Sequence, residues 1–328
     1  MKHTRSLIAL LLVLVLCFSL AACGSKEEPA PAGSAEVETD AAESTGMNAS
    51  NTLVYAGENE DTINPLLTNH DEITDVIFSG LMKYDGNGKP VTDLATEYTY
   101  DEATFTYVFT LRDGVKWHDG EPFTAEDVVF TYEELTQDDT LSSSLRSDYE
   151  DIVGVEATGD NEVTIQLSQY DANMLGYFTI GIVPKHLLEG EDISTCSFNQ
   201  APVGTGRYKF VEWDATGGMI TMQANTDYYD KVPNIEYLVY KTVAVESTKA
   251  TMLQSGEADL AWLNANYAAQ FEGKDGYNEW IFTTADYRGA SMAMTSDFWA
   301  QNADSIGVLN YAIDKGTIVK NVLNSQGC

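Results

Sequence analysis

The most constraining stretch of the chain lies between residues 105 and 135. From 105 to 111, large apolar or β-branched residues alternate with threonine, the pattern of a pleated strand with one buried face. Asp119-Gly120 then forms a turn dipeptide, because Gly tolerates positive φ and Asp bonds its own backbone. Thr124 stands three residues before Asp127 in a near capping box, and Glu126 and Asp127 suit the positive end of a helix. Val128, Val129, Tyr132 and Leu135 supply that helix with an apolar face. A strand, a turn and a helix that shares its core are therefore expected here.

The first 50 residues belong to a different kind of chain. Lys2, His3 and Arg5 precede an apolar run over residues 7–20, which is shorter than the roughly 20 residues of a membrane span and suits a signal peptide. The run ends in Leu20-Ala21-Ala22-Cys23-Gly24-Ser25, which resembles a bacterial lipobox with Cys23 as the lipidated residue. Residues 24–50 are rich in Ala, Glu, Pro, Ser and Thr and lack aromatics, so they bury too little surface to offset their ordering entropy. They read as a disordered tether, locally stiffened at Pro29 and Pro31.

Charge excludes one class of partner. The chain carries 18 Lys+Arg against 51 Asp+Glu, a formal net charge of −33; beyond residue 50 the balance is 15 against 45, or −30. Such a surface repels nucleic acid and acidic lipid. The 278 residues that follow the tether are enough for two lobes with ample core. Cys196 and Cys328 are the cysteines outside the first segment, and with Cys328 at the last position no pairing is expected. His3, His70, His118 and His186 lack the spacing of a zinc site. The turn from Tyr84 to Lys89 starts like a calcium loop, yet Pro90 stands where Gly is needed and Thr96 where Glu is needed.

The other elements are read from pattern. Residues 53–56 form a short strand, and after Asn64-Pro65 the residues Ile73, Val76, Ile77, Leu81 and Met82 recur at helical spacing. Residues 152–156 and 162–167 are strands, the second a clean alternation. Residues 171–177 and 184–188 suit short helices, 219–223 and 235–243 strands, and 245–253 a helix. In Ala201-Pro202-Val203-Gly204-Thr205-Gly206 the two glycines lack the spacing and Lys-Ser/Thr of a Walker A loop. They are expected to supply a backbone conformation that other residues resist.

Several motifs agree on one family. Trp117-His118-Asp119-Gly120-Glu121-Pro122-Phe123-Thr124-Ala125-Glu126-Asp127-Val128 resembles the W-x-D-G-x-P-x-T-A-x-D-V signature of family 5 extracellular solute-binding proteins, the peptide/nickel class of bacterial ABC importers. Ile182-Val183-Pro184-Lys185-His186 is similar to its I-V-P-K-H segment, and residues 201–210 to N-P-V-G-T-G-P-Y-x-F, with Ala201 and Arg207 departing from it. Ser255-Gly256-Glu257-Ala258-Asp259 resembles S-G-E-x-D, and residues 309–315 resemble A-L-x-Y-A-I-D-R with Val308 and Lys315 as departures.

The resemblance implies an α/β fold of periplasmic-binding-protein type II lobes, mixed sheets with flanking helices. It places a first lobe at residues 51–90 and 195–285, an inserted small lobe at 91–194 and an incomplete third lobe at 286–328. Residues 1–23 are then the signal peptide and 24–50 the tether. Family members continue well beyond the last residue here, so the sequence reads as a fragment or a truncated product. The implied function is capture of short peptides outside the membrane and delivery to an ABC permease and its ATPase subunits. The implied state is a monomer held by lipid on Cys23 at the outer face of the cytoplasmic membrane, on the cell surface or in the periplasm. The same fold serves nickel chelates, sugars and other small solutes.

By resemblance the cleft-facing candidates are Asn69, Asp71, Trp262, Asn264 and Arg288. The sequence favours a helix cap for Asp71 and a structural ion pair for Arg288 over a ligand role, and Trp262 suits a core position at least as well. The signature and His186 are expected to be structural. A surface hydrolase is the competing class, but G-x-S-x-G, S-x-x-K and H-E-x-x-H are all missing. No cofactor and no resident metal are expected.

Overall fold

The computed structural model describes residues 47–58, 62–68, 72–138, 140–282, 291–323 and 325. Strand β1 (Thr52–Gly57) opens the body, and the chain then passes through helix α1 (Thr74–Ile77) to a hairpin of β2 (Met82–Tyr84) and β3 (Pro90–Thr92). Next come β4 (Ala95–Asp101), β5 (Thr106–Leu111), helix α2 (Ala125–Thr136), β6 (Ile152–Gly159) and β7 (Glu162–Leu167). Short helices α3 (Met174–Tyr177) and α4 (Lys185–Leu188) lead to β8 (Tyr208–Asp214), β9 (Met219–Ala224) and β10 (Tyr237–Thr242). Helix α5 (Glu246–Ser255), strand β11 (Leu260–Ala261) and helix α6 (Ala265–Ala268) follow, then α7 (Asp297–Gln301), α8 (Ile306–Ala312) and α9 (Lys315–Asn321). No helix among the described residues is long and apolar enough to cross a membrane.

Two sheets organise these elements. The larger has the order β11-β1-β10-β9-β8, with β1 parallel to β10 and β11 and the remaining pairs antiparallel. The smaller, β4-β5-β7-β6, is antiparallel throughout. It is built entirely between β1 and β8, so the chain leaves the large sheet, completes the small one and returns. The fold is α/β, with mixed sheets and flanking helices.

The alternation read in the sequence is the burial pattern. Tyr107, Phe109 and Leu111 of β5 are buried, as are Val163, Ile165 and Leu167 of β7, with Phe109 opposite Val163 and Tyr107 opposite Ile165. Helix α2 packs on β6 and β7 and buries Val128, Tyr132 and Leu135. Phe178 fills the space between them, edge-on to Tyr107, Phe109 and Tyr132 at centroid distances of 5.2, 5.0 and 5.8 Å. Rings in that geometry add a little beyond their area burial. One apolar core runs from these residues to Ile220, Met222 and Tyr240 of the large sheet.

Asp127 shows why the signature holds together. Its carboxylate accepts from Thr124 N at 2.9 Å and Thr124 Oγ1 at 3.2 Å, from Trp117 Nε1 at 3.4 Å, and from Lys185 N at 3.0 Å. Thr131, one turn on, accepts from Val183 N at 3.1 Å. Helix α2 thus reads alternate backbone N–H groups of the Ile182-Val183-Pro184-Lys185-His186 segment, and the residue between them is proline, which has no N–H to satisfy. His186 Nε2 meets Asp119 Oδ2 at 2.8 Å and Lys185 Nζ meets Glu126 Oε2 at 3.0 Å on the exposed side of the same junction. Two motifs, with Asp127 and Lys185 58 residues apart in sequence, form one joint.

His118 ties a third motif to this joint. Its N–H donates to Gly204 O at 2.9 Å, Gly204 N donates to its Nδ1 at 3.2 Å, and its Nε2 lies 3.0 Å from Gly206 O. A carbonyl only accepts, so Nε2 carries the proton and the ring is a single neutral tautomer. Burial pushes the His118 pKa down from 6.5 to about 4, against the raising effect of the Gly206 carbonyl. Above pH 6.5 the ring is neutral in both folded and unfolded chains. Below it the unfolded chain takes the proton first, so stability falls until about pH 4 and then levels off. The loss is about 3 kcal/mol at roughly 1.4 kcal/mol per pH unit. Urea midpoints from pH 7.5 to 3.5 check this, and the slope of that fall should flatten in His118→Gln relative to the parent.

Two expectations are corrected. The apolar spacing of Ile73 to Met82 predicts one helix, but α1 stops at Ile77 and Met82 begins a strand. The backbone of residues 79–82 is taken instead by other segments: Ile182 N donates to Ser79 O, Leu94 N to Gly80 O, Asp93 N to Leu81 O, and Met82 N donates to Phe178 O. A Cβ on Gly80 would lie 2.5 Å from Thr179 O, so tertiary contact decides the local form. The second correction concerns Gly204 and Gly206, neither of which has positive φ. They are small because the chain crosses against α1: Gly206 N donates to Ile77 O at 2.8 Å, and an added Cβ would lie 1.9 Å from Ile77 O at Gly204 and 2.5 Å from Val76 O at Gly206.

Candidate functional site: the carboxyl-end rim of the large sheet

In open α/β sheets, ligands bind outside the carboxyl ends of the parallel strands. Here β1, β10 and β11 end side by side, with Gly57 paired to Thr242 and Ala56 to both Lys241 and Ala261. Glu58, Val243 and Trp262 are the next residues on each strand. Val243 N donates to Gly57 O at 3.0 Å, which holds the β1 and β10 ends together. Gly57 is required by close approach, since a Cβ there would sit 2.2 Å from the Tyr240 ring. Tyr240 in turn stacks edge-on to Tyr55 at 5.3 Å and donates to Glu72 Oε2 at 3.1 Å.

Helix α5 rises from this rim and ends at Gly256, whose φ of 79° is the left-handed cap that glycine adopts without strain. Its first residue, Glu246, accepts from Asn264 N at 3.1 Å and so fixes the turn after β11. Deeper in the helix Lys249 is 1% exposed, and its Nζ lies 2.7 Å from Glu58 Oε1, while the Glu58 side chain is 59% exposed.

Of the sequence-derived candidates, Trp262 stands on the rim, half exposed, in a stacked pair with Phe282 at 5.8 Å and 18°. Phe282 is itself exposed. Asn264 is beside it, and its Oδ1 caps α6 by accepting from Asn266 N and Tyr267 N at 3.1 and 3.4 Å. Asn69, Asp71, Arg288, Cys23 and Cys328 lie outside the described residues. Cys196 is a free thiol that donates to Ile193 O at 3.7 Å. Sequence reading missed Glu58, Lys249, Tyr240 and Phe282.

The match to the profile of bacterial extracellular solute-binding proteins, family 5 Middle, runs over residues 89–328. Protein XP55 of Streptomyces lividans is 31% identical over 285 residues, covering 86% of this chain and 52% of that protein. NikZ from Campylobacter jejuni, solved in complex with Ni(L-His), superposes with a TM-score of 0.78 at 35% identity, over 84% of this chain and 56% of that one. The oligopeptide-binding protein AppA from Bacillus subtilis, solved with a nonapeptide, gives 0.71 at 26% identity over 84% and 56%. The chain thus spans about half the length of the relatives it matches. The profile covers well over half of the chain and the shared fold agrees with it, and on those grounds the chain belongs to the bacterial extracellular solute-binding proteins, family 5.

Proposed function

We propose that the chain is the receptor of an ABC importer, capturing short peptides outside the membrane and handing them to a permease driven by ATPase subunits. The carrying observation is the Trp262–Phe282 stack, two exposed rings at the carboxyl end of β11, the neighbour of β1. Rings offer a peptide large contact area at little entropy cost. Trp262 is then the stacking surface, and the Asn264 amide group supplies donors, its oxygen being engaged in the cap. Asn69, Asp71 and Arg288 remain proposed contacts. The receptor acts as a monomer tethered through lipid on Cys23, with a first lobe at 51–90 and 195–285, an inserted lobe at 91–194 and part of a third at 286–328. Ligand favours the closed arrangement of lobes through contacts to both sides of the cleft. It releases its ligand chemically unchanged, as a receptor and not a hydrolase.

A second reading takes a nickel chelate as cargo, favoured by the greater likeness to NikZ than to AppA. Among the described residues the imidazoles of His118 and His186 are engaged with Gly204, Gly206 and Asp119, so neither ring is offered to a chelate. Thermal shift of the full chain against di- to pentapeptides, nickel with L-histidine, and sugars separates the two, because a ligand of the folded state raises the melting point by mass action. Peptides are expected to raise it, and the Trp262→Ala variant to lose most of the rise. A response confined to nickel with histidine would replace the peptide reading.

A further inference from the structure

Among the described ion pairs one lysine stands apart. The lysines of the other pairs, Lys83, Lys185 and Lys209, are 31–37% exposed, whereas Lys249 is 1% exposed. A buried ammonium is costly unless an anion and hydrogen bonds satisfy it. Among the described residues its partner is a single carboxylate oxygen, Glu58 Oε1, although an ammonium carries three donors. The two partners are held differently. Lys249 is fixed inside α5, with Ala250 and Met252 buried beside it. Glu58 sits just past the last residue of β1, more than half exposed.

We propose that the Lys249 ammonium is a carboxylate-binding site at the rim, filled here by the chain's own Glu58, which a solute carboxylate displaces. The ligand class is a small carboxylate; on the receptor reading above, it is the C-terminal carboxylate of a peptide. The exchange is electrically balanced. One carboxylate replaces another beside the buried ammonium, and Glu58 turns into water, where rehydration offsets what it gives up. A fixed, desolvated cation is also what an anionic group needs on a body of net charge −30. Because the internal carboxylate competes, the site discriminates against weak anions and opens to one delivered at high effective concentration by the rest of a bound ligand.

Chemical rescue of the full chain tests this without knowing the ligand. Glu58→Ala should melt about 5 °C below the parent, and sodium acetate should restore most of that loss by mass action. Sodium chloride at equal ionic strength and acetamide should not, and Glu58→Ala with Lys249→Met should not respond to acetate. If Glu58→Ala gives no cooperative melt, Glu58→Gln is titrated in the same way. Recovery by acetamide as well as acetate, or by neither, overturns the proposal. The second arm compares trialanine with its C-terminal amide. Glu58→Ala should bind the free acid at least about tenfold more tightly than the parent does, with the amide unchanged. Acetate rescue without binding of either peptide keeps the carboxylate site and removes the peptide reading. Equal binding of acid and amide without acetate rescue keeps the receptor and removes the site.

Discussion

Gly204→Ala is expected to leave the chain unfolded or to lower its stability by about 4 kcal/mol or more, above the range of ordinary overpacking and into that of backbone disruption. The added methyl carbon would stand 1.9 Å from the Ile77 carbonyl oxygen and 2.7 Å from its carbon. Both atoms are backbone, so no rotamer change relieves the clash. Moving the crossing outward breaks the His118 N to Gly204 O and Gly204 N to His118 Nδ1 bonds together, and with them the Gly206 N to Ile77 O bond that follows. Moving α1 inward compresses Ile77, which is fully buried. Urea unfolding measures the loss. Gly86→Ala is the control, since nothing lies within 4 Å of its Cβ position, and it should change stability by no more than about 0.5 kcal/mol. A Gly204→Ala loss near that of Gly86→Ala would mean that the crossing is loosely packed and that the motif's glycines serve something else.

That result bears on how much of the molecule its sequence discloses. Where one local period decides the outcome, reading is straightforward. The alternation at residues 105–111 and 162–167 emerges as the buried faces of β5 and β7, and Thr124 with Asp127 marks the start of α2. Where distant segments compete for the same backbone, the period misleads. Ile73 to Met82 is helical in spacing, yet the carbonyls of residues 79–81 are claimed from residues 93, 94 and 182. The glycines of the crossing stand out in the sequence, but their need is steric and not dihedral, and the two look the same in a one-letter code.

The rim shows the same division. An aromatic such as Trp262 next to a recognisable motif draws notice, whereas Lys249 does not, because lysine in a helix normally signals a solvated face. Its burial depends on Glu58, 191 residues earlier, and nothing local encodes that pairing. Phe282 is unmarked for a similar reason, since its role exists only through its stack with Trp262.

Asp127→Ala is expected to destabilise the chain by about 4 kcal/mol and to lower its melting point by about 10 °C, on a scale of 2–4 °C per kcal/mol for a body of this size. Two readings of this residue predict different magnitudes. If Asp127 were only the third residue of a capping box, its loss would cost about 1 kcal/mol, the ordinary worth of a cap. The geometry says otherwise. Asp127 is 4% exposed, and its two oxygens satisfy Thr124 N, Thr124 Oγ1, the Trp117 indole and Lys185 N. Alanine leaves those donors without their acceptor at a site that is buried around Trp117 and part-buried around Thr124 and Lys185, and each unmade bond to a charged acceptor costs more than a neutral one. Asp127→Asn keeps an acceptor but turns an amide NH2 towards N–H groups, so it should recover only part of the loss. Asp119→Ala, which removes the exposed partner of His186, should cost about 1 kcal/mol or less. Measured side by side in urea, a ratio near four between Asp127→Ala and Asp119→Ala places the joint's strength inside the junction. A ratio near one would return Asp127 to the rank of a simple cap, and the docking of residues 182–186 would then rest on the apolar contacts of Ile182 and Val183, both fully buried.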